Sequence, residues 1–534
     1  MSNKIHIHDL YFIILLLLLS WLYNYPNILQ SGPWMPHMWR QADCLSLTQN
    51  YATGDIGFFT PEVHWTGPSG NGKTISEFPL IYYTVGKIWS FTGRNYAIYR
   101  IIDILLVFLG LFSLYKISDS ILKDKYWAYF IPLILFSSPA LVYYTNNFLA
   151  NAPALGLALT GSWIYILYAQ NKQKKWLWIS IVIFTLAGMI KITSMIIVVA
   201  MLGYLTINAL VDLSQRKPNF RKYLSDILPF IPVFMIIVLW VMYTKNYNAH
   251  NNEHIFLQGL YPIWDLNTTQ INDILNKFYF NVLPSFFNKT TLVVILLIFI
   301  ADIVFLIRKG QRELLLVPIV FTGVILYLLF WFQALNQHDY YLINLLIFIP
   351  VTVTAFLSEL RIRLPKFFSS TGFKVIAALL LFLLIGKTTM INRIKYNVED
   401  HFLKADTVFN ALTEEDFKFW NYKQTKYSQT LEALDSITPY LRELGIKRND
   451  LVVSIPDVSI NITLFLMDQK GFTGYGYSET KGKIGERMEA FKKIGAKYLI
   501  VNDSSAVNSE EFKPYLSNKI GEYKNVQIYE LETP

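Results

Sequence analysis

The sequence predicts an α-helical, multi-pass membrane protein that ends in a small α/β domain. Three observations lead there. Of 534 residues, 53% are hydrophobic and 16% charged, with a mean hydropathy of +0.34, whereas a soluble domain is about 25% charged. Apolar runs near the bilayer-spanning length, about 20 residues at roughly 1.5 Å each, recur as far as residue 390. Beyond that point the chain turns polar, and strand patterns alternate with helical ones.

The first apolar run, 10–23, follows Lys4 and has the core IILLLLL, but no small-x-small cleavage site comes after it. It reads as an uncleaved first span with the N-terminus in the cytoplasm. Ten further spans are expected at 97–117, 125–144, 151–169, 176–190, 192–213, 223–243, 291–307, 314–332, 340–357 and 375–390, about eleven in all. The segment 79–92 is too short, about 21 Å as a helix, and contains Lys87. Loop charge decides its place. The loops 118–125, 170–175, 214–222, 308–313 and 358–374 hold 16 Lys and Arg, while 145–150 and 333–339 hold none. The positive-inside rule is obeyed only if 79–92 does not cross, which makes it an interfacial or re-entrant helix.

This topology puts the first loop (24–96), an amphipathic stretch in 244–290 and the C-terminal tail outside the cytoplasm. The basic loops also account for the formal charge of +9, so membrane lipids, not nucleic acid, are the expected surroundings. The chain divides into a membrane domain, 1–395, and a soluble α/β domain, 396–534. Strands are expected at DLVVSIPD, KYLIVND and NVQIYELE, with helices over YSQTLEALDSITPYLRELGI and GKIGERMEAFKKIGAKY. Gly471, Gly474 and Gly476 do not open a helix after a strand, so no nucleotide fingerprint is read. The single cysteine, Cys44, excludes an internal disulfide.

The chemistry-bearing residues concentrate in 37–83. Asp43 lies on a short segment, QADCLSLTQNYA, that reads as a helix lying on the membrane. It is either a capping aspartate or a functional carboxylate at membrane depth. Glu77 precedes Pro79 and the interfacial helix, as a dipole-favoured helix-start charge or as a second functional acid. Lys191, at the tip of the tight 176–213 hairpin, is costly to bury and available to an anion. Arg100, His338, Tyr340 and Tyr341 open later spans on the same face. Each has an ordinary reading as a snorkelling or aromatic-belt residue, and a functional one as a donor around an anionic group. His37, His64 and His338 show no zinc spacing; a hard divalent cation on Asp43 and Glu77 fits the acids better.

These residues resemble the GT-C superfamily of membrane glycosyltransferases, nearest the protein O-mannosyltransferase and aminoarabinose transferase group (glycosyltransferase family 39-like). The resemblance spans about residues 10–360. WRQAD at 39–43 is similar to the first-loop motif with the catalytic Asp, and SEFPLIYY at 76–83 to the acidic-proline-aromatic motif. MIKIT at 189–193 is similar to the lysine hairpin, and HDYYLINLL at 338–346 to the late His/Tyr-Tyr motif. The chain departs at Cys44, Phe78 and Asn151, where relatives often carry an acid, a lysine and an acid.

The resemblance implies transfer of a sugar from a polyprenyl-phosphate carrier to an acceptor hydroxyl or amine on protein, lipid or cell-envelope glycan, at the outer face of the inner membrane. Asp43 would be the base and Glu77 a positioner or metal ligand. Lys191, Arg100, His338, Tyr340, Tyr341 and Arg40 would surround the donor phosphate, with a divalent cation as the candidate cofactor. An oligosaccharide ligase or polymerase is the alternative within enzymes. A transporter would instead show midplane acids, of which Asp103 and Asp302 are the main examples here. A receptor sensing a ligand through the C-terminal domain is a third class.

Overall fold

The computed structural model describes residues 6–67, 69–217, 220–251, 255–256, 259–396, 418, 421–475 and 487–532. Every predicted span is helical, and among the described residues eight helices are long and apolar enough to cross a membrane. Three of the expected eleven come out short or broken. Ile7–Leu22 (α1) has 16 residues and Lys174–Ile190 has 17. The stretch 125–144 breaks into Lys125–Leu135 and Pro139–Thr145, bent by 78°, with the proline opening the second helix. Counting that bent pair as one span gives nine.

Between α1 and the first long span lie the four-residue helix Tyr25–Ile28 and two longer ones, Met38–Thr53 (α2) and Leu80–Thr92 (α3). The last has 13 residues, as short as expected of the 79–92 segment. Tyr96–Leu122 (α4) and Asn151–Asn171 (α5) cross at glycines. A Cβ on Gly156 would sit 2.3 Å from the Leu106 carbonyl oxygen, so the close approach requires glycine, as at other membrane helix crossings. Lys174–Ile190 (α6) and Ile192–Ser214 (α7) form the lysine hairpin. Phe220–His250, Lys289–Lys309, Arg312–Phe330, Asp339–Arg363 and Thr371–Lys395 complete the bundle. In the 244–290 region, Thr268–Lys277 is a helix started by an Asn267–Gln270 capping box.

The C-terminal domain holds a five-stranded sheet in the order β2-β1-β3-β5-β4, built from β1 (Leu451–Ile455), β2 (Gly471–Phe472), β3 (Ala496–Val501), β4 (Lys519–Tyr523) and β5 (Val526–Glu530). The pairs β1–β2 and β1–β3 are parallel, while β5 runs antiparallel to both β3 and β4. Strand alternation divides the buried side chains between two cores. Val453, Ile455, Leu499 and Val501 pack under Met488 and Phe491. Val452, Ile500, Val526 and Ile528 join the core that runs on into the membrane bundle.

The domain is therefore docked against the bundle rather than tethered beside it. The first loop lies along the edge strand β2: Thr66 N–H donates to Gly471 O (2.9 Å) and Gly471 N–H to His64 O (3.1 Å). Lys470–Glu62 (2.7 Å) and Arg94–Asp435 (3.7 Å) add ion pairs across the same seam. Residues 482–486 of the predicted helix GKIGERMEAFKKIGAKY lie outside the described residues; its remainder gives Met488–Ile494. The predicted 427–446 helix is a chain of short turns and helices ending in Thr438–Glu443.

Candidate active site

Helix α2 is polar in sequence yet buried along most of its length. It is covered by α3 on one side and by the short helix Ile462–Leu466 of the C-terminal domain on another. A Cβ on Gly86 of α3 would lie 2.7 Å from Thr48 O, so the two short helices touch backbone to backbone. Arg40 and Asp43 share one face, three residues apart, with Arg40 Nη1 3.9 Å from Asp43 Oδ2.

Glu77 reaches the same point. Phe78 N–H donates to Met189 O (3.2 Å), which fastens the end of the first loop to the hairpin carrying Lys191. Lys191 Nζ then donates to Glu77 Oε1 at 3.0 Å, and Arg40 Nη2 donates to Glu77 Oε2. Lys191 also lies over the Tyr341 ring, 5.1 Å from its centre, and Arg40 over Phe256 at 4.7 Å. Burial opposes the Glu77 charge, but Arg40 and Lys191 outweigh it and hold the carboxyl far below the usual range. Asp43 has weaker compensation. Burial pushes its carboxyl up to about 6, against Arg40 and the Asn461 hydrogen bond. Two acids in one site thus have separated strengths: Glu77 stays an anion, and Asp43 can take a proton near neutrality.

A second cluster adjoins these residues. His37, held at φ 60°, meets Asp339 through Nε2 at 3.0 Å, and Tyr144 Oη donates to the same oxygen at 2.5 Å. The His37 ring faces Tyr340 and His338, with centres 4.9 and 5.7 Å away. Among the described residues, buried Arg40 Nη1 and His338 Nδ1 have no hydrogen-bond partner. A guanidinium N–H that makes no hydrogen bond, beside a fixed ion pair, is a donor available to an anion.

Of the residues expected from sequence, Arg40, Asp43, Glu77, Lys191 and Tyr341 come together, with His338 and Tyr340 next to them. Arg100 requires correction. Its guanidinium donates to the carbonyls of Asn146, Ser31 (2.8 Å) and Gly32 (3.2 Å), and stacks on Phe148 at 4.1 Å. Backbone oxygens, not an open site, hold it. The expected divalent cation on Asp43 and Glu77 does not fit either. Both Glu77 oxygens already bind cationic side chains and Asp43 Oδ1 accepts from Asn461. Among the described residues no group of three or more His, Cys, Asp or Glu is arranged to hold a metal. Asp339 and Asn461 were not expected from sequence. Asp339 stands inside the HDYYL motif next to His338; Asn461 carries no local signal.

Residues 76–240, which include Glu77 and Lys191, match the family model for dolichyl-phosphate-mannose-protein mannosyltransferase. The matched stretch is less than a third of the chain. Among curated proteins no match was found. Among solved structures, the chain is similar to the Archaeoglobus fulgidus oligosaccharyltransferase tethered to an acceptor peptide containing the NVT sequon. The identity is 11% and the TM-score 0.47, over 92% of this chain and 69% of that one.

Proposed function

We propose that the chain is an inverting glycosyltransferase that uses a polyprenyl-phosphate-linked sugar and transfers it to an acceptor hydroxyl or amine. Asp43 acts as the base. The acceptor attacks the anomeric carbon in line, a new glycosidic bond forms, and the bond from that carbon to the phosphate oxygen breaks. The acceptor proton passes to Asp43, and the polyprenyl phosphate leaves with the bonding electron pair. The leaving group needs no proton, so one basic carboxylate suffices.

The observation that carries this reading is the charge balance around Asp43. Arg40 and Lys191 contribute two positive charges and Glu77 one negative, all buried. With Asp43 ionised the four charges cancel; as Asp43 takes the acceptor proton one positive charge is left over while negative charge grows on the phosphate, which is where a preorganised cation lowers a barrier most. Glu77 fixes the geometry of both cations. His338, Tyr340 and Tyr341 line the adjoining wall. The positive-inside count supports an outward-facing site, with donor and acceptor meeting at the outer leaflet.

Reconstituted protein supplied with labelled polyprenyl-phosphate hexoses and pentoses tests the donor class. Transfer to a membrane extract, with inversion at the anomeric carbon, is expected from at least one of them. Transfer from a nucleotide sugar with none from any lipid-linked sugar would contradict the reading.

A further inference from the structure

The base is not held by the membrane domain alone. Asn461, in the C-terminal domain, is fully buried and donates from Nδ2 to Asp43 Oδ1 at 2.8 Å. The orientation of its amide is fixed by what lies on the other side. Asn461 Oδ1 accepts from Trp65 N–H at 2.9 Å and from the Ser46 hydroxyl at 3.4 Å. A backbone N–H can only donate, so Oδ1 must face Trp65, and Nδ2 is left pointing at the carboxylate. One asparagine thereby joins the first loop, helix α2 and the C-terminal domain at the base itself.

A second buried network braces the same contact. His64, fully buried, meets Ser46 Oγ at 2.8 Å and Asp468 Oδ1 at 3.1 Å. Arg448 donates to Asp468 Oδ1 (2.9 Å) and to Asn50 Oδ1 (3.0 Å) on α2. Asp468 and Arg448 follow and precede Asn461 in the C-terminal domain, so the seam is held on both sides of the asparagine.

We infer that Asn461 is a positioning residue for the transfer reaction, and that the C-terminal domain completes the active site by fixing the Asp43 carboxylate. The inference rests on Asp43 being the base. With Oδ1 occupied by the amide, Oδ2 is the oxygen left for the acceptor proton, which sets the direction from which the acceptor must approach. The charged and titratable groups around Asp43 are Arg40 and Cys44 on its own helix, Glu77 and Tyr82 from the loop and α3, and Lys191 behind Glu77. Only Asn461 reaches it from the C-terminal domain by hydrogen bond among the described residues.

The test uses the full chain and whichever labelled polyprenyl-phosphate sugar the wild type turns over. Asn461→Asp keeps the shape and the acceptor for Trp65 but puts a second carboxylate against Asp43; Asn461→Ala removes the donor. Both should lower kcat about tenfold or more and move the acid limb of the kcat–pH profile upward by roughly one pH unit. Binding of polyprenyl phosphate itself, read by tryptophan fluorescence, should stay unchanged. Wild-type kcat and an unmoved acid limb in both variants, beside an inactive Asp43→Asn, would overturn the role of Asn461 and leave the base standing. An active Asp43→Asn would overturn the base and this role together. Activity lost along with polyprenyl phosphate binding would mark Asn461 as merely structural and overturn the inference.

Discussion

Lys191 Nζ lies 3.0 Å from Glu77 Oε1, joining the tip of the α6–α7 hairpin to the end of the first loop. The pair is buried, with the two side chains 13% and 7% exposed, and Arg40 closes it from the other side. Removing the shared carboxylate of such a group strands both cations, at a cost of about 3–5 kcal/mol, while removing one cation leaves Glu77 its other partner and costs less. Lys191→Met should lower the unfolding temperature and weaken binding of polyprenyl phosphate. Glu77→Gln, which leaves both Arg40 and Lys191 without their carboxylate, should lower the unfolding temperature further. Equal unfolding temperatures for wild type and Lys191→Met would contradict the pairing.

The seam between the domains should weaken in mild acid. Burial holds the His64 imidazole down to about 4, against about 6.5 in an unfolded chain. Between those values the unfolded chain binds the extra proton and the folded one does not. The His64 contribution to stability therefore falls as pH drops from about 6.5 to about 4, by about 3 kcal/mol, while Asp43, raised to about 6, acts in the opposite sense over the same range. Asp468 acts in a different window: His64 and Arg448 overcome its burial and hold its carboxyl low, so its contribution is lost only below about pH 4. Thermal unfolding of wild type beside His64→Gln at a series of pH values isolates the histidine: wild type should lose stability relative to the variant as pH drops from about 6.5 to about 4.

Arg100 should behave as a framework residue. Its three carbonyl partners match a planar fork and not a single ammonium. Arg100→Lys and Arg100→Met should both lower the unfolding temperature, while the folded fraction binds polyprenyl phosphate as the wild type does. A selective loss of that binding in Arg100→Lys, with unchanged stability, would return Arg100 to the phosphate site.

Helix crossing gives a control free of chemistry. Gly156→Ala puts a methyl group 2.3 Å from the Leu106 carbonyl oxygen, and overpacking of this kind costs about 1–3 kcal/mol. Gly386, where a methyl group would meet nothing within 4 Å, should tolerate alanine. Unfolding temperatures of the two variants separate the effects.

Local patterns carried most of the fold. Hydropathy found every long helix because burial in lipid leaves its mark residue by residue, and the shortness of the Leu80–Thr92 helix was legible in its short apolar run. Three expected spans come out short or broken, at Ile7–Leu22, Lys174–Ile190 and the bent pair around Ser138. Strands β1, β3 and β5 were readable as apolar runs, whereas β2 has two residues and β4, KIGEY, is polar and half-exposed. In the site, Asp43, Glu77 and Lys191 were legible through their motifs. Arg100 was misplaced because a helix-start arginine looks the same whether it faces a ligand or a set of carbonyls. Asn461 was out of reach, since 418 residues separate it from Asp43 and nothing local distinguishes it from any buried asparagine.

The most direct measurement is turnover of Asp43→Asn against pH, beside the wild type, on a lipid-linked sugar. Burial raises the Asp43 carboxyl to about 6, so it is protonated below that pH and cannot accept the acceptor proton. Wild-type kcat should fall tenfold per pH unit below about pH 6. Asp43→Asn should be slower by about 10²–10⁴-fold, the usual worth of a general base, and still bind polyprenyl phosphate. Turnover in Asp43→Asn within a few-fold of wild type, with the acid limb intact, would contradict the assignment of Asp43 as the base.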